Sequence, residues 1–593
     1  MTAADVAAPV FQQGTSLGRA PKPAFDPVAP TPERQLDEAL ARLRGKAQEF
    51  ARAPIGAKLG WLSELNRRLL DVSEEWVRAA CRAKGIEFGT PLAGEEWLAG
   101  PAVTVRNVRL LIEALGDVQA TGAPRVDSGA VRERDGGGLA VQVTPHGAFD
   151  KALFGGFVCE TWLQSNVKRG AIAEDQAGFY RRRDPEGGVS LVLGAGNVAS
   201  IPPMDALYKM FVEGQVVLLK MNPVNEYLGP FLARAFSHLI DLGYLAIVYG
   251  GAPVGSYLCQ HELVDDIHIT GSDKTHDLIV WGPPGDERDR RKAARDPVLK
   301  KKITSELGNV SPVVVVPSSY SEKELDAMAH GIAGMVTNNA SFNCNAAKLL
   351  VLPRGWAQRD ALMARVGSAL QKAPPRKAYY PGAFERYEAL TGERAGVQRF
   401  GEGQEGTLPW TIVPGLESSS ANERNFHMEP FCAILSETTI GSADPAEFLA
   451  AAEPFCNDVV WGTLSCMLFV PPSVEKDATL GPAFESLVSA LRYGSVAVNC
   501  WAGLVYGLGT PPWGGHPSAT LENIQSGLGW VHNTPMFESI EKAVLRSPLV
   551  PFPKPAWYPG HRTLHEVGRK LTRFEASPSW LKVPSIAASA LSG

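Results

Sequence analysis

The sequence lacks an excess of basic residues, paired cysteines and long apolar runs, and each absence excludes a class of protein. With 58 Lys and Arg against 63 Asp and Glu, it carries a formal net charge of -5, which predicts no basic surface for nucleic acid. None of the 8 cysteines has C-x-x-C spacing, so we predict neither a metal site nor a dithiol motif. Scattered thiols fit a reducing cytoplasm, and we expect a cytoplasmic protein. No run is long enough to cross a bilayer and no secretory signal is visible, so membrane insertion is not expected.

The N-terminal third is predicted to be mostly helical. Residues 1–30 are rich in proline and are expected to form a flexible lead-in. A helix is predicted to begin at Thr31, with Thr31 as its cap and Pro32 in its first turn. Helical patterns continue to about residue 117, and the Gly-rich stretch 135–138 predicts a loop.

From about residue 188 short apolar runs alternate with amphipathic segments. Strands are predicted at 189–193, 216–219 and 245–249, and helices at 204–213 and 228–242. This alternation is typical of βαβ units with a parallel sheet. The same pattern returns at 312–316 and 349–352. The sequence therefore predicts an α/β fold with two α/β domains in series.

A glycine-rich turn follows the first of these strands. Residues 194–199, Gly-Ala-Gly-Asn-Val-Ala, match the dinucleotide pattern G-x-G-x-x-A. A conventional site of this kind has an acidic residue at the end of the next strand, to bind the ribose. Here that strand ends in Lys220-Met221-Asn222-Pro223. The turn alone therefore does not predict a conventional pyrophosphate site.

Eight segments, taken in chain order over about residues 180–535, resemble motifs of the aldehyde dehydrogenase superfamily, as a divergent member. The matching segments are 183–189 (R-D-P-E-G-G-V), Asn197 in its turn, 216–220 (V-V-L-L-K), 269–272 (I-T-G-S), 304–308 (T-S-E-L-G), 342–346 (F-N-C-N-A), 429–431 (E-P-F), and 498–499 (V-N) with 513–515 (W-G-G). The sequence departs from the family at Gly196 and Val198, which flank Asn197, and at Asn309, which follows Gly308.

The resemblance implies an enzyme that oxidises an aldehyde to a carboxylic acid through a thiohemiacetal and a thioester on Cys344. Cysteine suits this reaction because it is a soft nucleophile near neutral pH. By the resemblance, Glu306 is the general base and Asn197 the oxyanion donor, together with the backbone N–H of Cys344. The structural alternatives are a buried cysteine, a surface or capping carboxylate and a turn-forming asparagine.

The resemblance also implies NAD or NADP as cofactor. Lys220 would hold the adenosine ribose, Gly271 and Ser272 would lie near the pyrophosphate, and Glu429 and Phe431 would position the nicotinamide ribose and ring. Pro223 stands where an acidic residue is often found. Because a carboxylate there would repel a 2′-phosphate, its absence favours acceptance of NADP.

The domain organisation is predicted from the same motifs. We expect a cofactor-binding domain over 31–305, a catalytic domain over 306–515 and a C-terminal arm and extension over 516–593. A small oligomerisation hairpin is expected near 168–186, within the first domain. Since such a hairpin alone would expose strand edges, a homodimer or homotetramer is predicted. The charged segment 283–302 is expected to be an inserted solvated loop.

Two other functions remain open at this point. A CoA-acylating dehydrogenase or acyl-CoA reductase would share the cysteine and the asparagine but pass the acyl group to a thiol. Glu306 favours hydrolysis, because water needs a base. A catalytically silent structural relative is the third hypothesis. The sequence does not identify the aldehyde.

Overall fold

The computed structural model describes residues 21–392, 394–401 and 403–593. Most of the lead-in predicted for residues 1–30 therefore lies outside the described residues. Within them, no helix combines the length and apolar character needed to cross a membrane.

The helices occupy both ends of the chain and the connections between strands. They are α1 (Glu33–Ala51), α2 (Ile55–Lys84), α3 (Gly94–Trp97), α4 (Val103–Thr121), α5 (Gly147–Phe154), α6 (Gly178–Arg181), α7 (Ile201–Phe211), α8 (Gly229–Ala235), α9 (Ser237–Asp241), α10 (Ala252–Gln260), α11 (Asp273–Trp281), α12 (Asp286–Ala294), α13 (Glu322–Thr337), α14 (Arg359–Lys372), α15 (Ala383–Thr391), α16 (Arg424–His427), α17 (Pro445–Pro454), α18 (Pro472–Glu475), α19 (Leu480–Ala490), α20 (Gly503–Leu508), α21 (Leu564–Ala576) and α22 (Val583–Leu591).

The strands form two large sheets and one short pair. They are β1 (Val131–Glu133), β2 (Leu139–Thr144), β3 (Val158–Leu163), β4 (Val189–Leu193), β5 (Val216–Lys220), β6 (Leu245–Val248), β7 (Asp266–Gly271), β8 (Lys302–Leu307), β9 (Pro312–Val315), β10 (Leu349–Pro353), β11 (Gln398–Phe400), β12 (Trp410–Leu416), β13 (Ile434–Ile440), β14 (Ser465–Phe469), β15 (Ser495–Val498), β16 (Pro512–Trp513), β17 (Val531–His532) and β18 (Ile540–Arg546).

The first sheet has five parallel strands in the order β6-β5-β4-β7-β8. Its strands β4 and β5 are largely apolar and buried, as expected inside a parallel sheet that helices cover on both faces. The strand order reverses at β4, and ligands of such sheets bind beyond the carboxyl ends of the strands at this reversal. Asn197 follows β4 directly, so the fold places it at that point.

The second sheet has eleven strands in the order β1-β2-β3-β18-β15-β14-β9-β10-β13-β12-β11. Its centre, from β18 to β12, is parallel, and antiparallel strands complete both sides. The loop that carries Cys344 joins α13 to β10. The structure thus has the two α/β sheets that the sequence predicted.

The expected hairpin at 168–186 is wrong. Residues 169–175 form a 3-10 helix and α6 follows, while the antiparallel strands lie earlier, in β2 and β3. β3 pairs with β18, which also pairs with β15, so this side of the β2–β3 pair is covered within the chain, while β1 forms the edge of the sheet. Because no hairpin forms at 168–186, the argument for oligomerisation from the edges of that hairpin loses its basis.

Three local expectations also need correction. Thr31 does not cap α1; its hydroxyl instead accepts a hydrogen bond of 3.0 Å from the N–H of Tyr249. The charged segment 283–302 contains α12, whose first turn is acidic and whose last turn is basic, as the helix dipole favours. The helix predicted at 228–242 is divided into α8 and α9 at Phe236.

A buried ionic cluster connects α21, near the end of the chain, to α4 among the N-terminal helices. Arg106 on α4 pairs with Asp150 at 2.6 Å and with Glu575 on α21 at 2.9 Å, and all three side chains are buried. Arg109 binds the other oxygen of Glu575 at 2.7 Å. Removing one member of such a cluster leaves a buried charge without its partner.

We expect Glu575→Gln to lower the free energy of unfolding by about 3–5 kcal/mol, because two arginines then share too little negative charge. Glu566→Gln on the same helix is the control, since its pair with Arg569 is partly exposed and should contribute about 1 kcal/mol or less. Urea denaturation of both variants measures the difference. Equal small losses would show that the buried cluster does not hold α21.

Candidate active site

One cleft of about 1530 Å³ gathers the residues that the sequence singled out. Its walls come from the carboxyl ends of the five-stranded sheet on one side and from the second sheet on the other. All eight predicted site residues line it: Asn197, Lys220, Gly271, Ser272, Glu306, Cys344, Glu429 and Phe431. Their assembly into one cleft is geometric; their roles stay predictions.

The loop before Cys344 has an unusual backbone. Asn339, Ala340 and Ser341 have φ angles of 50°, 54° and 68°, three successive residues in the left-handed region. Non-glycine residues rarely adopt this conformation, and each costs about 1–3 kcal/mol unless the surroundings impose it. The loop must therefore be held by contacts outside itself.

Those contacts centre on Asn339 and the buried ammonium of Lys84. Lys84 donates to Asn339 Oδ1 at 2.9 Å, to Glu96 Oε1 at 2.9 Å and to the Asn197 carbonyl at 3.3 Å. Asn339 Nδ2 donates to the Asn197 carbonyl at 2.9 Å, and the Tyr379 hydroxyl donates to Asn339 Oδ1 at 2.8 Å. Sequence reasoning missed Lys84, Glu96 and Tyr379, which lie on distant helices and loops and carry no motif.

Cys344 lies at the bottom of the cleft and is partly exposed there. Lys348 Nζ donates to its carbonyl at 2.8 Å. Its backbone N–H has no acceptor among the described residues, and can therefore serve an oxyanion. Burial and the nearby Glu306 carboxylate raise the pKa of the thiol, whereas Lys348 lowers it. The thiol is therefore protonated near neutral pH, and its predicted role as a nucleophile requires a base.

Glu306 lies one residue before the end of β8, beside that thiol. Its side chain is buried, and neither carboxyl oxygen makes a hydrogen bond of normal geometry within the described chain. Burial, followed by the Asp205 carboxylate, raises its pKa to about 8, against the lowering influence of the Cys344 thiol and the Trp513 indole. A carboxyl group with this pKa can accept a proton and return it near physiological pH.

Asn197 is buried in the turn after β4. Its Nδ2 donates to the Phe342 carbonyl at 2.8 Å, in the loop that leads to Cys344. One amide hydrogen is used in this bond, and the second has no acceptor among the described residues. The turn and the nucleophile loop are therefore joined directly.

The side of the cleft formed by the five-stranded sheet contains Lys220, Gly271 and Ser272. Lys220 ends β5, and burial lowers the pKa of its ammonium. Gly271 ends β7, and the hydroxyl of Ser272 caps α11 by accepting from the N–H of Thr275 at 3.2 Å. The N-terminus of α11 thus opens on the cleft, where its N–H groups favour an anion.

Glu429 is paired with Lys348, a partner that the sequence analysis missed. Lys348 Nζ contacts Glu429 Oε1 and also donates to the Asn309 carbonyl at 3.0 Å. Phe431 packs beside Tyr380, with ring centroids 4.9 Å apart. The buried Lys348 therefore connects Glu429 to the Cys344 loop.

Polar side chains that the sequence analysis did not predict also surround the site, on the far side of Glu306. The Tyr506 hydroxyl lies 2.7 Å from Ser200 Oγ, and its ring contacts His532 at 4.4 Å between centroids. Asp205 accepts from the Thr270 hydroxyl at 2.8 Å. Burial lowers the pKa of His532 to about 4, so this imidazole is neutral.

Within the described residues, no group of three or more His, Cys, Asp or Glu side chains could hold a metal ion.

Residues 157–380 match the aldehyde dehydrogenase family. Among curated relatives, N-succinylglutamate 5-semialdehyde dehydrogenase of Ectopseudomonas mendocina is 23% identical over 339 residues, 56% of this chain and 54% of the relative. Aldehyde dehydrogenase family 3 member F1 of Arabidopsis thaliana is 29% identical over 147 residues, 25% of this chain and 27% of the relative. The chain thus spans about half or less of the length of these relatives.

Solved structures share the fold over nearly the whole chain. The aldehyde dehydrogenase KauB of Pseudomonas aeruginosa superimposes with a TM-score of 0.59 at 18% identity, covering 88% of this chain and 90% of KauB. A glyceraldehyde-3-phosphate dehydrogenase of Methanocaldococcus jannaschii, complexed with NADP, gives 0.56 at 13% identity, covering 89% and 99%. The predicted fold, that of the aldehyde dehydrogenases, is confirmed.

The raised pKa of Glu306 predicts a pH-dependent stability. Because its folded pKa of about 8 exceeds the usual value of 4.5, the folded state binds the proton more tightly than the unfolded state. The stability from this group is present below pH 4.5 and is lost as the pH rises to about 8. Each unit between the two values corresponds to about 1.4 kcal/mol.

We therefore expect Glu306→Gln to lose less unfolding free energy than the wild type between pH 5 and pH 8.5. Asp205→Asn should give an intermediate loss, because it removes one cause of the raised pKa. Glu262→Gln, an exposed carboxylate, is the control and should follow the wild type. Parallel pH dependences in all four proteins would show that Glu306 is ionised normally.

Proposed function

Because the chain belongs to the aldehyde dehydrogenase superfamily, we propose that it oxidises an aldehyde to a carboxylic acid with NAD or NADP, through Cys344. The observation that carries this proposal is the convergence of three groups. The Cys344 thiol, the buried Glu306 carboxyl and the Asn197 amide meet in one cleft. The backbone N–H of Cys344 has no acceptor among the described residues and belongs to the same residue as the thiol.

Acylation begins when the Cys344 sulfur attacks the aldehyde carbon and Glu306 accepts the thiol proton. The carbonyl oxygen becomes an oxyanion, which the second Asn197 amide hydrogen and the Cys344 N–H stabilise. One such donor is worth about 2.7–4 kcal/mol in the transition state. The nicotinamide, when bound, supplies a hydride acceptor. Loss of hydride from the thiohemiacetal leaves a thioester on Cys344.

Deacylation needs a base for water. Glu306 first releases to solvent the proton that it took from the thiol. The ionised carboxylate can then take a proton from a water molecule as the water oxygen attacks the thioester carbon. The tetrahedral oxyanion uses the same two donors. When it collapses, the carbon–sulfur bond breaks, the carboxylic acid leaves and the sulfur takes back the proton that Glu306 accepted from water. Glu306 thus acts once in each half of the reaction.

The residues at the other end of the cleft fit a dinucleotide. The cleft is lined there by two small residues of α10 and its approach, Gly251 and Gly255, and by two apolar residues of α11, Leu278 and Ile279. Small and apolar lining of this kind suits an adenine ring. Lys220 would hold the adenosine ribose, and Gly271 and Ser272 would lie by the pyrophosphate. Pro223 presents no carboxylate against a 2′-phosphate.

At the nicotinamide end, Glu429 and Phe431 would position the ribose and the ring. Glu429 would bind ribose hydroxyls while it remains paired with Lys348. Three further expectations also remain proposals. They are the domain boundaries at 305 and 515, a homodimer or homotetramer, and a cytoplasmic location.

The cysteine assignment has a direct test. Cys344→Ala should lose dehydrogenase activity at least a thousandfold and keep cofactor affinity within about threefold, because only the covalent intermediate is removed. Cys159→Ala, a buried cysteine of β3, is the matched control and should stay active. Turnover by Cys344→Ala above a few per cent of the wild type would refute the assignment.

Hydrolysis and CoA transfer are distinguished by Glu306. A CoA thiolate is already nucleophilic and needs less help than water. If water is the acceptor, Glu306→Gln should slow deacylation more than acylation, so that a burst of NAD(P)H precedes turnover slowed at least tenfold. Rapid mixing measures both phases. Acceleration of the wild type by free CoA, with acyl-CoA as product, would establish the rival function instead.

A further inference from the structure

A second pocket, of about 450 Å³, lies between the α1–α2 turn and the segment that follows α6. It shares no residue with the active-site cleft. Four basic residues and one acidic residue take part in its lining. The basic residues are Arg52, Lys58, Arg182 and Arg183, and the acidic residue is Asp184. The pocket is therefore strongly positive.

Lys58 projects from the start of α2 into this pocket and is only 1% exposed. Its ammonium lies 5.1 Å from the ring centroid of Phe50, 4.7 Å from that of Phe179 and 4.9 Å from that of Tyr180. In the part of the chain that the structure describes, Lys58 has no carboxylate partner and no hydrogen-bond acceptor. The ring faces are its only favourable electrostatic contacts there.

The other buried lysines outside the active-site cleft have anionic or carbonyl partners. Lys84, Lys209 and Lys348 each pair with a carboxylate. Lys542 donates to three backbone carbonyls. Burial of an ammonium without such partners is unfavourable, and three ring faces offset only a part of the penalty. A bound anion would therefore stabilise Lys58.

The rim of the pocket is also positively charged. Arg52 is paired with Asp184 at 2.7 Å across the rim. Arg182 and Arg183 are exposed, and their guanidinium groups have no carboxylate partner among the described residues. Burial lowers the pKa of Lys58 to about 8, which still leaves most of the ammonium charged at neutral pH. An anion in the pocket would therefore be attracted by Lys58 at the floor and by Arg182 and Arg183 at the rim.

We propose that this pocket is a binding site for a phosphate group, either as the free ion or as the monoester of a small metabolite. A dianion with several oxygens can bond Lys58 and the two free arginines together, which one carboxylate cannot do as fully. The volume exceeds that of a phosphate group, and Ala51, Pro54 and Ile55 offer an apolar wall to an organic substituent. No part of the proposal depends on aldehyde oxidation.

Isothermal titration calorimetry of the full chain at constant ionic strength tests the proposal. Inorganic phosphate is the first probe and glycerol 3-phosphate the second, so that the free ion and the monoester are compared. We expect Lys58→Met to weaken binding at least tenfold. The double variant Arg182→Ala/Arg183→Ala, which changes only exposed residues, should weaken it at least threefold.

Lys274→Ala is the control for phosphate bound in the active-site cleft, because Lys274 lines that cleft alone. It should leave the phosphate affinity unchanged. If the wild type binds neither probe at a concentration of about 10 mM, at which even a very weak site would be detected, the proposal is overturned. Loss of binding in Lys274→Ala with full binding in Lys58→Met would also overturn it. If Lys58→Met fails to fold, unchanged affinity in the double arginine variant would overturn it equally.

Discussion

The buried ammonium of Lys84 is the contact on which the active-site geometry depends. It joins the end of α2 to Glu96, to the Asn197 carbonyl and to Asn339 in the loop before Cys344. Asn339 begins three successive left-handed residues, a conformation that the loop would not keep by itself. Because Lys84 and its acceptors are all buried, breaking one contact leaves polar groups unpaired in a medium of low dielectric constant. The N-terminal helices thus set the position of the nucleophile.

The same burial that fixes the site also sets its acid–base chemistry. It raises the pKa of both the Cys344 thiol and the Glu306 carboxyl, since each would carry a charge away from water. Both groups therefore hold their protons more tightly than they would in water. Asp205 strengthens this condition by repelling charge on Glu306. Neither oxygen of Glu306 has a hydrogen bond of normal geometry among the described residues, which supports its proposed role as a proton acceptor.

The sequence predicted what its local patterns determine. The apolar runs that became β4, β5, β9 and β10 were found because buried parallel strands have few polar residues. The Ser321–Glu324 capping box at the start of α13 is a local pattern of the same kind, because its two residues are three positions apart. The contact between Lys84 and Asn339 spans 255 positions, and no local pattern reports it. The hairpin was misplaced for the same reason, since the pairing of β3 with β18 is a tertiary contact.

Lys348 shows why a list of site residues is incomplete without their connections. Resemblance identified Glu429 and Cys344 separately, as a cofactor ligand and a nucleophile. Lys348 contacts the Glu429 carboxylate and the Cys344 carbonyl with one ammonium group. An ammonium has three hydrogens, and the Asn309 carbonyl takes a further one. Displacement of Glu429 therefore acts on the loop that carries the thiol. The two ends of the site are mechanically one unit, joined by a residue that the sequence alone presents as an ordinary lysine before a strand.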